Sequence, residues 1–94
     1  MEYRRLGKTG VQVSEISLGP GNSTIEDDTE GVALITAAFD AGVNLYDTAN
    51  FEKDGKVEEW LGAAFHERRE QVVIATKFSG DGTRKHIVRT CEQA

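Results

Sequence analysis

Val72-Val73-Ile74-Ala75-Thr76-Lys77 is an apolar run that stops on a lysine. A run without in–out alternation suits a strand buried on both faces of a parallel sheet. Upstream, Val43-Asn44-Leu45-Tyr46 reads as another strand, ending at Asp47-Thr48. Between the two, from about 56 to 66, Val57, Trp60, Leu61 and Ala64 share one helical face. A preceding helix from about 27 to 41 carries Val32, Ile35 and Phe39, widened by Leu34, Ala38 and Ala41. Gly42 stands where a helix-ending glycine belongs. Ser23 and Glu26 have capping-box spacing, and Asp27 and Asp28 suit the first turn. Ile16-Ser17-Leu18, stopped by Gly19-Pro20-Gly21, is a first short strand. Ser79-Gly80-Asp81-Gly82 is a loop, and Thr83 can cap a last helix carrying Ile87, Val88 and Cys91. At the start, residues 3–13 read as a hairpin around Gly7-Lys8-Thr9-Gly10. The order is a hairpin and then β-α three times. It predicts an α/β fold with a parallel sheet and right-handed crossovers.

The chain has 94 residues, with 11 Lys+Arg against 16 Asp+Glu and a net charge of −5. It lacks the basic stripe that displaces counterions from nucleic acid, and an anionic membrane surface is disfavoured for the same reason. No apolar run approaches the roughly 18 residues of a membrane span, and no apolar segment follows Met1-Glu2-Tyr3-Arg4-Arg5 as in a secretory signal. Cys91 is the single cysteine, so an internal disulfide and a cysteine-built zinc site are both excluded. The expectation is a cytoplasmic protein of one small domain, residues 1–94, with no metal.

The chemistry concentrates at two strand ends. Asp47 closes the second parallel strand and Lys77 the third. In β/α architectures those C-terminal ends line the site. Neighbouring strands lie about 4.8 Å apart, so a carboxylate and an ammonium there can pair. Lys77 follows an apolar run, which predicts partial desolvation of its charge and favours an acidic partner. The pair could tune a third group or simply close the top of the sheet with a salt bridge.

Several segments together resemble one family. Glu2-Tyr3-Arg4-Arg5-Leu6-Gly7-Lys8-Thr9-Gly10 with Val13-Ser14, then Ala37 through Ala49, Glu58-Glu59 with Leu61-Gly62, and Val72 through Lys77 are similar to the start of the aldo-keto reductases, in order and spacing. The resemblance implies a (β/α)8 barrel closed below by an N-terminal hairpin, of which this chain would be a truncated portion with three β/α units. It also implies NADPH-dependent reduction of aldehydes and ketones. Asp47 would hold Lys77, Lys77 would lower the pKa of a proton-donating tyrosine, and Gly19 and Asp47 would face the cofactor's nicotinamide side.

The pattern breaks at one place. The tyrosine belongs five residues after Asp47, followed by glycine, where this chain has Glu52 and Lys53. Tyr46 points away from Asp47 on the strand and is a poor substitute. Glu52 is the remaining candidate acid, although Lys77 nearby would hold it ionised. The resemblance also implies a histidine after a fourth strand, which is outside these residues. The expectation is therefore a chain without reductase activity of its own. Its open sheet edges favour a homo-oligomer or a complementing chain, and the alternative is an interaction module that binds a protein through those edges. Other residues read more plainly. Trp60 belongs to the core, and His66 ends a helix. His86 and the basic residues Arg68, Arg69, Arg84, Lys85 and Arg89 read as solvated surface, and Cys91 as an apolar filler.

Overall fold

A computed structural model describes residues 1–49, 51–80 and 82–93. The hairpin forms as expected. Strands β1 (Tyr3–Arg5) and β2 (Gln12–Ser14) pair antiparallel, with Arg4 opposite Val13. Helix α1 (Asp28–Asp40) leads to strand β3 (Leu45–Asp47), helix α2 (Lys56–Phe65) to strand β4 (Val73–Ala75), and the last element is helix α3 (Arg84–Gln93). β3 and β4 are parallel, with Tyr46 opposite Ile74. The Ile16–Leu18 segment contributes only a bridge. Leu18 donates to Leu45 O at 3.1 Å and accepts from Asp47 N at 2.9 Å, parallel to β3.

The helix ends have identifiable causes. Asp27, not Ser23, caps α1, because its Oδ1 accepts from Glu30 N at 3.0 Å. Ser23 instead closes the turn before it, donating to Pro20 O at 2.8 Å. Gly42 ends α1 at φ +105°, a conformation without steric cost only for glycine. Tyr3 Oη donates to Gly42 O at 2.7 Å, which ties the hairpin to that helix end. Thr83 caps α3, accepting from His86 N at 3.2 Å.

One core fills the space between the helices and the sheet. It contains Ile35 from α1, Tyr46 from β3, Val57, Trp60, Leu61 and Phe65 from α2, and Val43 and Val72 at the strand entrances. Phe65 extends the helical stripe by one further position, i+8 from Val57, and packs at 5.0 Å on Tyr46 and 5.5 Å on Phe39. Arg68 is not solvated surface. Its guanidinium lies 4.3 Å over the Phe39 ring and donates to Ala64 O, so a cation–π contact covers the core's lower end.

β4 is not buried on both faces. Val73 and Ile74 are partly buried, but Ala75 is exposed. Helices cover the face that carries Tyr46 and Ile74, whereas on the other face Leu45 and Val73 are partly buried and Asp47 and Ala75 are exposed. The hairpin is joined below the sheet through Asn44. Its Oδ1 accepts from Ser14 N at 2.7 Å, its Nδ2 donates to Gln12 O at 3.0 Å, and its own N–H donates to Ser14 Oγ at 3.1 Å. Asn44→Ala would leave the Ser14 amide buried without its acceptor. The expected loss is about 2 kcal/mol, read as a melting temperature lower by roughly 10 °C in a circular-dichroism melt.

Candidate functional site

Asp47 and Lys77 meet where the sequence placed them. Residues 45–47 and 73–75 are in parallel register, so Lys77, two residues past β4, reaches back over the end of β3. Its Nζ donates to Asp47 Oδ1 at 2.5 Å and to Thr48 O at 3.0 Å. The Thr48 carbonyl is a partner the sequence did not reveal, since backbone acceptors carry no side-chain signature. Strand alternation turns Tyr46 inward, fully buried, while Asp47 faces out of the sheet.

The expected desolvation of Lys77 is only partial. The Lys77 and Asp47 side chains are 55% and 53% exposed. The apolar run protects the strand's helix side, and Lys77 extends beyond it into solvent. An exposed pair is screened and exerts little electrostatic leverage on a third group. A covering layer that excluded water would raise that leverage severalfold.

Glu52 stands apart from the pair. It opens a short helical turn over Glu52–Gly55 and packs onto Gly21, where a methyl group would overlap Glu52 Oε2. That oxygen is buried and has no hydrogen-bond partner among the described residues. Glu52 makes no ion pair or hydrogen bond with Lys77 among them either. Gly19 lies close to the pair, since a methyl there would stand 3.8 Å from Asp47 O and 3.2 Å from Asn22 Nδ2.

The turn after Glu52 explains part of the broken pattern. Lys53, Asp54 and Gly55 are consecutive left-handed residues, at φ +48°, +57° and +86°. Lys53 therefore occupies a conformation that suits the glycine of the resembled pattern and costs a side chain roughly 1–2 kcal/mol. The lysine finds some compensation by burying its stem, with only 11% of the side chain exposed, and pairing with Glu26 Oε1 at 3.2 Å.

His86 is tied down rather than free on the surface. Its Nε2 lies 2.7 Å from Ser79 O, and its ring meets Phe78 edge-on at 6.1 Å. It thereby holds the segment immediately after Lys77. No group of three or more His, Cys, Asp or Glu capable of holding a metal occurs among the described residues. Nor is any helix among them long and apolar enough to cross a membrane.

Comparison with known proteins identifies this architecture. The aldo/keto reductase family model matches residues 15–94. A protein named "Probable voltage-gated potassium channel subunit beta" from Oryza sativa subsp. japonica is 40% identical over 94% of this chain and 31% of its own length. The aldo-keto reductase AFTS1 of Alternaria alternata is 39% identical over 80% of this chain and 23% of its own. The solved holo form of aldo-keto reductase AKR11C1 from Bacillus halodurans superposes with a TM-score of 0.84 at 26% identity, over 98% of this chain and 34% of that one. The chain thus spans about a third or less of the length of these relatives. Family model, sequence relatives and superposition agree, and the chain belongs to the aldo/keto reductase family.

Proposed function

We propose that this chain carries the lysine–carboxylate end of an aldo-keto reductase site and has no carbonyl reductase activity of its own. The observation that carries the reading is the contact of Lys77 Nζ with Asp47 Oδ1 at neighbouring strand ends, beside a turn in which Glu52 stands where the family pattern has its tyrosine. In that pattern the lysine stabilises an ionised phenol, and the phenol delivers a proton to the carbonyl oxygen. Here Asp47 orients the lysine and the Thr48 carbonyl fixes its reach. The acid that would use this cation is a carboxyl packed on Gly21, out of hydrogen-bonding contact with Lys77.

The cofactor fit is partial. NADPH, the family's reductant, would supply a hydride. Asp47 and Gly19 suit its polar nicotinamide end, with Asp47 half open to solvent. In the family pattern its adenosine and phosphate ends are held by later strands and loops outside these residues, so no hydride step is assigned to this chain. Physical chemistry supports the same conclusion, because a half-exposed ammonium in water shifts a neighbouring acid only weakly.

The test is NADPH oxidation at 340 nm with 4-nitrobenzaldehyde and the purified 94-residue chain. The reading predicts the rate seen without protein, unchanged by Lys77→Met. Turnover well above that rate, abolished by Lys77→Met, would overturn it.

A second reading rests on the exposed end of the sheet face turned away from the helices. Ala75 and Asp47 are exposed there, and Ile16, Phe51 and Phe78 are 63%, 57% and 43% exposed. In this reading the chain associates through the edge of β4 that pairs with no strand among the described residues, with a second copy or a complementing chain supplying the next strand. Light scattering distinguishes the two. A concentration-independent monomer argues against the associating form.

A further inference from the structure

Helix α3 is held to the rest of the fold by little. Of its ten residues only Thr90 is buried, while Ile87 and Val88 are 37% and 43% exposed. A helix of that length is marginal in water without packing. Arg84, Lys85, Val88, Arg89 and Glu92 line a shallow depression of about 560 Å³ along one stripe of it, on the side away from Thr90. The stripe carries three permanent cations, Arg84, Lys85 and Arg89, against the single carboxylate of Glu92. Helix α1 is its opposite in sign. With its cap it holds Asp27, Asp28, Glu30 and Asp40 and no Lys or Arg. Glu30, Ala33, Ala37 and Asp40 are exposed and fall on one face, at i, i+3, i+7 and i+10, turned away from the Gly31 and Ile35 side that packs into the core. Between the two helices the sheet runs from Leu18 through β3 to β4, all parallel. Its outer edges, among the described residues, are the 16–18 segment, which α1 follows, and β4, which α3 follows.

We infer that the basic face of α3 docks on the acidic face of α1 of a second copy of this chain, head to tail. The inference rests on the associating reading given above and adds which faces meet. Charge decides the geometry. A two-fold dimer joined through antiparallel β4 edges would set its two copies of α3 side by side and oppose the same three cations. Head-to-tail contact instead brings Arg84, Lys85 and Arg89 to Glu30 and Asp40, covers Val88 with the small Ala33 and Ala37, and lays the 16–18 edge parallel to β4. The new neighbours repeat a relation already inside the chain, where α1 lies against α2 through Gly31 and Trp60 beside parallel β3 and β4. Such a contact joins two different surfaces, so it propagates or closes into a ring.

Sedimentation velocity of the 94-residue chain at low salt tests it. The average mass should rise with concentration, and added salt should reverse the rise, because exposed charges are screened. One variant combines Arg84→Glu, Lys85→Glu and Arg89→Glu, and the other combines Glu30→Lys and Asp40→Lys. In each protein the two docking faces then carry the same sign, and the dissociation constant should rise about a hundredfold or more. Mixed together, the variants should associate again, because the reversed α3 of one matches the reversed α1 of the other and the two unaltered faces still match. Hydrogen exchange in α3 should slow in the associated samples and not in either variant alone. Association that neither variant weakens, or a mixture that stays dissociated, would overturn this inference and leave the associating reading standing. An unsubstituted chain that is monomeric at every concentration would overturn both. If a combined variant does not fold by circular dichroism, Arg84→Glu and Glu30→Lys, alone and mixed, decide by the same outcomes.

Discussion

Gly31→Ala is expected to destabilise the chain by about 2–3 kcal/mol, although alanine is the better helix former by about 1 kcal/mol. The glycine sits inside α1, directly against the indole of Trp60 on α2. A methyl there would come within 2.5 Å of Trp60 Cε2 and Cε3. The ring has little freedom to yield. It is 2% exposed, and its Nε1 donates to Asp28 Oδ1 at 2.8 Å, on the first turn of α1. The two helices therefore approach closely because residue 31 has no side chain. A thermal melt should show a drop of roughly 10–20 °C. Combination with Trp60→Leu should recover most of the added cost, since contacting sites are not additive. Gly62, on the neighbouring helix with open space beside it, provides the contrast. Alanine there should stabilise by several tenths of a kcal/mol or more.

The second large effect is alkaline. Tyr46 is fully buried, and burial pushes its phenol up from 10.0 to about 12. The nearby Arg68 guanidinium works against that shift and Asp40 adds to it, both less strongly than burial. The neutral phenol is stable in the fold because it donates to Val43 O at 2.8 Å. A raised folded pKa means that the unfolded chain releases its proton first as pH rises. The contribution is fully present below pH 10 and disappears as pH climbs through about 12, with up to about 3 kcal/mol at stake. Urea unfolding at pH 9 and at pH 11.5 should show this loss in the native chain. Tyr46→Phe should begin about 1 kcal/mol lower, having lost the hydrogen bond, and should lack that component of the fall. Equal pH dependence in the two proteins would contradict the assignment.

Much of the fold was legible because it rests on local periodicity. The stripe Val57, Trp60, Leu61, Ala64 located α2, and Gly42 marked the end of α1 through a backbone angle that favours glycine. The meeting of Asp47 and Lys77 followed from strand order and register. What escaped the sequence depends on contacts between distant segments. Asn44 reads as an ordinary polar residue within an apolar run, yet it joins β2 to the start of β3. Arg68 carries no mark of its seat over Phe39. The cap of α1 moved from Ser23 to Asp27 because the Pro20–Asn22 turn engages the serine hydroxyl. How far the pair is covered was not legible, for a global reason. An apolar strand announces burial, but sequence periodicity does not say which face is covered by this chain.

The account's central claim is a parallel β/α arrangement that seats Lys77 on Asp47. A 13C/15N-edited NOESY spectrum of the purified chain tests it most directly. The account predicts cross-peaks between the Lys77 ε-methylene and the Asp47 β-protons, together with inter-strand contacts of Tyr46 to both Leu18 and Ile74 in parallel register. Antiparallel contacts between β3 and β4, or Lys77 and Asp47 side chains without a shared cross-peak in a folded protein, would contradict it.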